Sequence, residues 1–345
     1  MKSIMKLPIF KERQVFNPAF EAFCLQNCIQ HVLRHYGVKD SIKYVDTSLY
    51  FRLVKGEDED YSYHFELHKN QLHHQYASKV ISECYDNADP MEIWLKNKQI
   101  LDQGTPVVVD MDLYDIAYSG TCGIYHNNHS VILAGYENEN PCVIDWYHWK
   151  YKGEVELEQY LKARASECPL DMSPFSGRPV RNNWLYLLRD EWKGDWEELM
   201  KLTIDQTIHQ YYDDTDNMNQ SDFHGIYVIR HLRDLLLQTR DRDEQFRSSL
   251  MQNIRRASLS IYSQLALLQF YLRNGSRKLS VPQLSNLIEQ LAKDIPVWKE
   301  FTVFIMKAIH ECDEPLYDEV IKQIEELIKI EETRYNLFVE LNNVL

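Results

Sequence analysis

The chain has 345 residues, an apolar fraction of 44% and a formal net charge of −14. Its length favours two domains over one, and the apolar content is ordinary for a globular protein with a sizeable core. The acidic balance argues against a nucleic-acid binder, which neutralises phosphates with clustered Lys and Arg, and no run approaches the ~18 uninterrupted apolar residues of a membrane span.

Seven cysteines, an odd count without framework spacing, suit a reducing compartment better than a disulfide scaffold. The start, Met1-Lys2-Ser3-Ile4-Met5-Lys6-Leu7-Pro8, lacks the apolar core and small-residue cleavage site of a signal peptide. The expected location is cytoplasmic.

The first half alternates between helix and strand patterns. Residues 22–36 read as a helix, with Phe23, Cys24, Cys28, Val32 and Leu33 near helical spacing and Gly37 as its stop. Residues 42–54 carry β-branched and aromatic side chains at strand-like spacing. Residues 90–101 read as a second helix, entered through Asp89-Pro90 and left before Gly104. Strands are predicted over 106–111, 130–136, 142–146 and 183–188, two of them short continuous apolar runs of the kind buried on both faces. The turn around Glu137-Asn138-Glu139-Asn140-Pro141 folds one of these strands back on another as a hairpin.

From about Trp192 the strand-like runs give way to long amphipathic stretches. Helices are predicted at 196–212, 223–238, 243–274, 281–312 (interrupted at Pro296) and 316–343, with breaks at Asn274-Gly275-Ser276 and Asp213-Asp214-Thr215-Asp216-Asn217. The chain therefore reads as an α/β (or α+β) domain over residues 1–190 followed by an all-α domain over residues 191–345.

Three residue types in the first half fit thiol chemistry, which needs a nucleophile, a base that makes it a thiolate and a group that orients the base. Cys24 lies at the mouth of the first helix, where free amides and the helix dipole lower a cysteine pKa. Most cysteines are small core hydrophobes, and Cys28, one turn later on the same face, is the competing nucleophile. His129 opens the apolar strand that follows His126-Asn127-Asn128, and His126 is an equally available imidazole. Asp145 closes the next strand, and the hairpin brings it near His129.

The segment Cys24-Leu25-Gln26-Asn27-Cys28-Ile29, followed by Val32-Leu33-Arg34-His35-Tyr36-Gly37, resembles the nucleophile helix of papain-like domains that process double-glycine leader peptides. The run from Pro106 to Tyr114, then Tyr118, His129 to Tyr136 and Asp145, resembles the N-terminal domain of the butirosin biosynthesis protein H family. Those proteins are papain-like acyltransferases with a helical region after the catalytic domain. The likeness covers residues 15–190, with the helical half similar in texture only.

The resemblance implies a papain-like cysteine-protease fold. It also implies a reaction that moves an acyl or aminoacyl group from the phosphopantetheine thioester of an acyl carrier protein to an amine, in specialised-metabolite (antibiotic-type) biosynthesis. Carried over, Cys24 takes the acyl group, His129 is general base and acid, and Asp145 orients it. Asp112 and Tyr118 match the family's pattern and would line the pocket. The oxyanion donor expected upstream of the cysteine would be Asn17, with Gln14 further upstream, although an Asn before Pro is commonly a plain turn residue.

No resident cofactor is implied, because the phosphopantetheine arrives on its carrier. The partners implied are a carrier protein and a small amine, with no nucleic acid and no membrane. Two alternatives stay open: a cysteine peptidase or amidase on the same three residues, and a non-catalytic binding or scaffold protein that kept the fold.

Other clusters have bland readings beside the functional ones. His64, His68, His73 and His74 lack the matched spacing of metal ligands. Trp146-Tyr147-His148-Trp149 and Tyr151 would wall a cleft or pack a strand exit. The basic run of Arg230, Arg233, Arg240, Arg242, Arg247, Arg255 and Arg256 is laced with Asp234, Asp241, Asp243 and Glu244. It reads as a salt-bridged solvated face or a docking face for an acidic carrier.

Overall fold

The computed structural model of the chain describes residues 4–13, 17–20, 22–55, 63–67, 72–84, 88–145, 150–171, 173, 175–212, 222–239, 244–311 and 314–345. Its described strands are β1 (Ile4–Lys6), β2 (Phe51–Lys55), β3 (Tyr63–Leu67), β4 (Val80–Glu83), β5 (Val107–Asp112), β6 (Asn128–Glu137), β7 (Asn140–Ile144), β8 (Lys152–Glu154), β9 (Trp184–Leu187) and β10 (Asp222–His224). Its described α-helices are α1 (Cys24–His35), α2 (Pro90–Asp102), α3 (Leu157–Arg164), α4 (Trp196–Thr207), α5 (Ile226–Gln238), α6 (Glu244–Gly275), α7 (Pro282–Glu311) and α8 (Glu314–Asn342). No helix among the described residues is long and apolar enough to cross a membrane.

The chain divides into two compact units, Met1–Ser41 with Gln71–Lys193, and Ile42–Asn70 with Gly194–Leu345. The first is mixed α/β. Its antiparallel sheet runs β4-β9-β5-β6-β7-β8, with β1 added on β6. β6 is the axis of this sheet, and its residues from His129 to Gly135 are all buried, as expected of a strand covered on both faces.

Local chemistry explains the elements around β6. Asn138 and Glu139 sit at φ 49° and 71°, a two-residue turn of the type whose twist suits the β6–β7 hairpin. A bulge between Leu133 and Gly135 leaves the Ala134 carbonyl to accept from the Leu7 amide at 2.8 Å. Gly135 is required there, since a Cβ would collide with the Met5 carbonyl of β1.

Two helices end in the same way. After α1, Gly37 (φ 81°) donates to the Arg34 carbonyl and Val38 to the Leu33 carbonyl. After α2, Gly104 (φ 81°) donates to Leu101 and Thr105 to Ile100. Both satisfy the last carbonyls through a left-handed glycine. At the other end of α2, Asp89 accepts the Met91 amide at 2.9 Å ahead of Pro90, a side-chain cap that satisfies an early donor.

The second unit contains the five helices α4–α8 and a small antiparallel sheet, β10-β2-β3. The sequence pattern places strand over 42–54 and assigns it to the first domain. Instead, Ser41–Tyr44 forms a 3-10 turn, strand begins only at Phe51, and the segment belongs to the second unit. Side chains take the place of a strand partner here: Asp46 accepts the Ser48 amide, Thr207 the Leu49 amide, and Gln264 brackets the backbone of Tyr50.

Three predicted helices also change. Residues 208–212 form a π-helical turn after α4. Residues 222–224 are the strand β10, and α5 starts only after Gly225 (φ 52°). α7 runs unbroken through Pro296, with Leu287, Leu291, Trp298 and Phe301 buried on either side of it, packing that offsets the missing amide.

A polar cluster lies inside the helical unit. Arg334 Nη1 donates to both Glu331 carboxylate oxygens at 2.8 Å, and Arg334 Nε donates to Asp294 at 2.9 Å. Trp298 Nε1 and the Tyr212 hydroxyl also donate to Glu331, at 3.0 and 3.1 Å. All three charged residues are at most 2% exposed. Glu331→Ala leaves the buried guanidinium with Asp294 as its remaining carboxylate partner and is expected to lower stability by about 3 kcal/mol, read as a lower urea midpoint. An unchanged midpoint would show that the cluster carries no stability.

Candidate active site

α1 begins at Cys24, and its first intrahelical hydrogen bond runs from the Asn27 amide to the Phe23 carbonyl at 3.0 Å. The amides of Cys24, Leu25 and Gln26 thus lack an intrahelical acceptor, the usual condition of a helix N-terminus. That end is a favourable place for a thiolate and for an oxyanion formed beside it.

β6 supplies the base. The Ser130 amide donates to Cys24 Sγ at 3.3 Å, and Cys28 Sγ donates to the Ser130 carbonyl at 3.4 Å. One residue of β6 therefore holds both cysteines of α1. His129, immediately before it, is 4% exposed and lies close enough for its charge and that of Cys24 to act on one another.

The hairpin brings in the carboxylate. Ile132 pairs with Ile144, so Asp145 is a diagonal neighbour of His129 on the same face, within side-chain reach. Asp145 Oδ1 lies 3.0 Å from His129 Nε2, which leaves Nδ1 for the thiol. The Asp145 amide donates to the Tyr151 carbonyl at 2.8 Å, fixing the backbone just beyond β7.

Burial works against both charges of the Cys24–His129 pair, and their contacts outweigh it. Burial alone raises the Cys24 pKa, but the His129 charge, its hydrogen bond and the Ser130 amide bring it below the ordinary thiol value. Burial alone lowers the His129 pKa, but Asp145 and the Cys24 thiolate bring it well above the ordinary imidazole value. Both directions favour a thiolate–imidazolium pair, the state in which a cysteine is nucleophilic.

Cys28 is the opposite case. Burial, followed by the negative charges at Cys24, Asp145 and Asp110, pushes its thiol well above the ordinary value. It is 2% exposed and stays a hydrogen-bond donor in the core. Between the two candidate nucleophiles, the geometry favours Cys24.

The remaining sequence candidates divide. Tyr118 joins the group, its hydroxyl donating to Asp145 Oδ2 at 3.0 Å. Asp112 is spent on structure: it accepts the Tyr114 and Asn127 amides at one oxygen and His126 and Ser166 at the other. His126 is therefore the imidazole of a loop clamp and not a second partner for Cys24. Asn17 accepts the Ala19 amide at 3.0 Å, the turn role, and Gln14 lies outside the described residues.

The other clusters are described only in part. His73 is buried and His74 exposed, while His68 and 146–149 lie outside the described residues. Arg230 pairs with Glu332 and Arg233 with Asp234, as on a solvated face, and Arg240 and Arg242 lie outside the described residues. Sequence reasoning missed the Ser130 amide and Tyr151. A backbone donor leaves no trace in residue type, and Tyr151 was visible only as part of an aromatic string.

The pair has a pH signature. The Cys24 thiolate persists above its depressed pKa and is lost as pH falls through it, while the imidazolium is lost as pH rises through the elevated His129 pKa. At pH 6, where an ordinary cysteine of pKa about 8.5 is almost wholly protonated, iodoacetamide is expected to label Cys24 ahead of the exposed Cys84 and Cys122. His129→Ala should reverse that order, because the largest contacts opposing burial at Cys24 are then gone and only the smaller one from Ser130 stays. Labelling of Cys24 only at alkaline pH in the wild-type chain would refute the ion pair.

No protein-family model matches the chain, and no curated protein matches it.

Proposed function

We propose that this protein is a cysteine-dependent acyltransferase with a papain-like catalytic unit. It takes an acyl or aminoacyl group from a carrier-protein thioester and passes it to an amine. The carrying observation is that Cys24, at the start of a helix, His129 and Asp145 lie together, with Asp145 3.0 Å from the His129 ring and the charges of Cys24 and His129 favouring one another. Chain order and the likeness of residues 15–190 to the butirosin biosynthesis protein H family support the acyl-transfer form.

In this mechanism the Cys24 thiolate attacks the thioester carbonyl carbon and forms a new C–S bond. The oxyanion lies against the Cys24 amide. Collapse breaks the bond to the pantetheine sulfur, and His129 gives that sulfur its proton. The amine then attacks the acyl-enzyme, His129 takes back a proton, and the amide leaves as the Cys24 thiolate is restored. Thiol–thioester exchange is near balance, so amide formation supplies the driving force provided water is kept from the acyl-enzyme. A cytoplasmic setting in specialised-metabolite assembly fits a carrier-protein donor.

A peptidase or amidase uses the same three residues and differs only in letting water resolve the acyl-enzyme. A scaffold reading would have been favoured by a His129 unable to reach Cys24, and the electrostatic interaction between them weighs against it.

Intact-protein mass spectrometry after incubation with short acyl thioesters of pantetheine tests the reading. A mass gain is expected in the wild type and in Cys28→Ala, and none in Cys24→Ala. Release of the adduct by added amines, faster than by buffer, marks a transferase; release by water alone marks a hydrolase. No adduct from any donor would sink the acyl-enzyme altogether. Asp145→Asn should slow adduct formation by roughly 10²- to 10⁴-fold, because the imidazolium loses the negative charge that stabilises it.

A further inference from the structure

We propose that Tyr118 is a positioning residue for this machinery: its hydroxyl holds the Asp145 oxygen that His129 does not use, and so fixes the carboxylate plane that meets the imidazole. The inference rests on the cysteine reading above and departs from the role that the family likeness implies, which is lining a substrate pocket.

The geometry closes on itself. Asp145 Oδ1 faces His129 Nε2 at 3.0 Å, and Oδ2 accepts the Tyr118 hydroxyl at 3.0 Å. A carboxylate held at one oxygen can still turn about its last torsion, which is broad for Asp; a second donor removes that freedom. Tyr118 is itself held, because its ring stacks on Tyr151 at 3.9 Å with 8° between the planes. Tyr151 in turn takes the Asp145 amide on its carbonyl. The hydroxyl remains a donor across the working pH range, since burial and the Asp145 charge push its ionisation well above the ordinary phenol value.

Behind Tyr118 the chain is clamped. The Ser119 amide donates to the Ile116 carbonyl, and Ser119 Oγ accepts the Thr121 amide. A side chain on so constrained a turn suits orienting a partner. Outer partners of this kind typically change activity by 10- to 100-fold when removed.

The test reads the ion pair without any acyl donor, so a failure of acyl transfer leaves it legible. The titratable groups whose charges reach the Cys24–His129 pair or the carboxylate beside it are Asp145 after β7, Cys28 on α1, Asp110 on the other face of β5, and Tyr118 with Tyr151. Rates of Cys24 alkylation by iodoacetamide are measured from pH 4 to 8 for the wild type, Tyr118→Phe, Asp145→Asn and the double variant. Tyr118→Phe keeps the ring stack and removes only the hydroxyl.

A less firmly held carboxylate stabilises the imidazolium less, so the thiolate protonates more readily. The acid limb of Tyr118→Phe is expected to move to higher pH, with alkylation at its foot about tenfold slower. In the Asp145→Asn background the same substitution should add nothing, because Tyr118 acts through that carboxylate. A Tyr118→Phe limb superimposable on the wild type overturns the proposal. So does an equal further loss in the Asp145→Asn background, which is the additivity of independent sites.

Discussion

Burial opposes both charges of the Cys24–His129 pair, and contacts offset it: His129 and the Ser130 amide at the sulfur, Asp145 and Cys24 at the imidazole. A thiolate removed from water without a cation would take up a proton, and a buried imidazolium without an anion would lose one. The contacts that reverse this come from three separate elements: the first turn of α1, the start of β6, and the residue just past β7. Whatever fixes those three relative to each other fixes the chemistry, and the rest of the first unit serves as their frame.

Most of that frame converges on two residues of β6. His129 faces α1, and by strand alternation Ser130 turns its side chain to the opposite face, where its hydroxyl donates to Asp110 at 2.5 Å. The backbone of Asp110 is tied in turn: buried Arg164 on α3 donates to the carbonyls of Asp110, Asn182 and Asn183. Asp112, one strand position pair further along β5, clamps the loop that leads into β6. The peptide of Ser130 is thus held from behind while its front receives both cysteines. Asp112 matters to the site by placing His129, although its own oxygens are occupied elsewhere.

How legible this was in the sequence depends on whether a feature is carried by residue type or by backbone. Gly37 and Gly104 mark helix ends because the left-handed conformation excludes most other residues, and both ends were readable. The β6–β7 hairpin was readable from its apolar runs and polar turn, and with it the approach of Asp145 to His129. The segment from Ser41 to Tyr50 was not, because its strand-like composition is overridden by partners distant in sequence, Thr207 and Gln264. Short strands such as β1 and β4 carry too few residues to show a period. The choice of Cys24 over Cys28 came from helix position and the family likeness, and only the structure adds the contrary pKa directions of the two thiols.

The two units use buried charge in opposite ways. In the helical unit Glu331 accepts from Arg334, Trp298 and Tyr212, so its charge is neutralised by surrounding donors and has little chemical potential left. In the first unit the Cys24 thiolate meets His129 and one amide, and its residue is only half-buried. Sulfur lone pairs remain there for an electrophile. Saturation makes a buried charge structural, while an ion pair left one partner short is reactive. The carboxylate is where the first unit approaches saturation, with Asp145 engaged at both oxygens. The pair is therefore held at the carboxylate end and open at the sulfur, the division of labour that the proposed nucleophilic role requires.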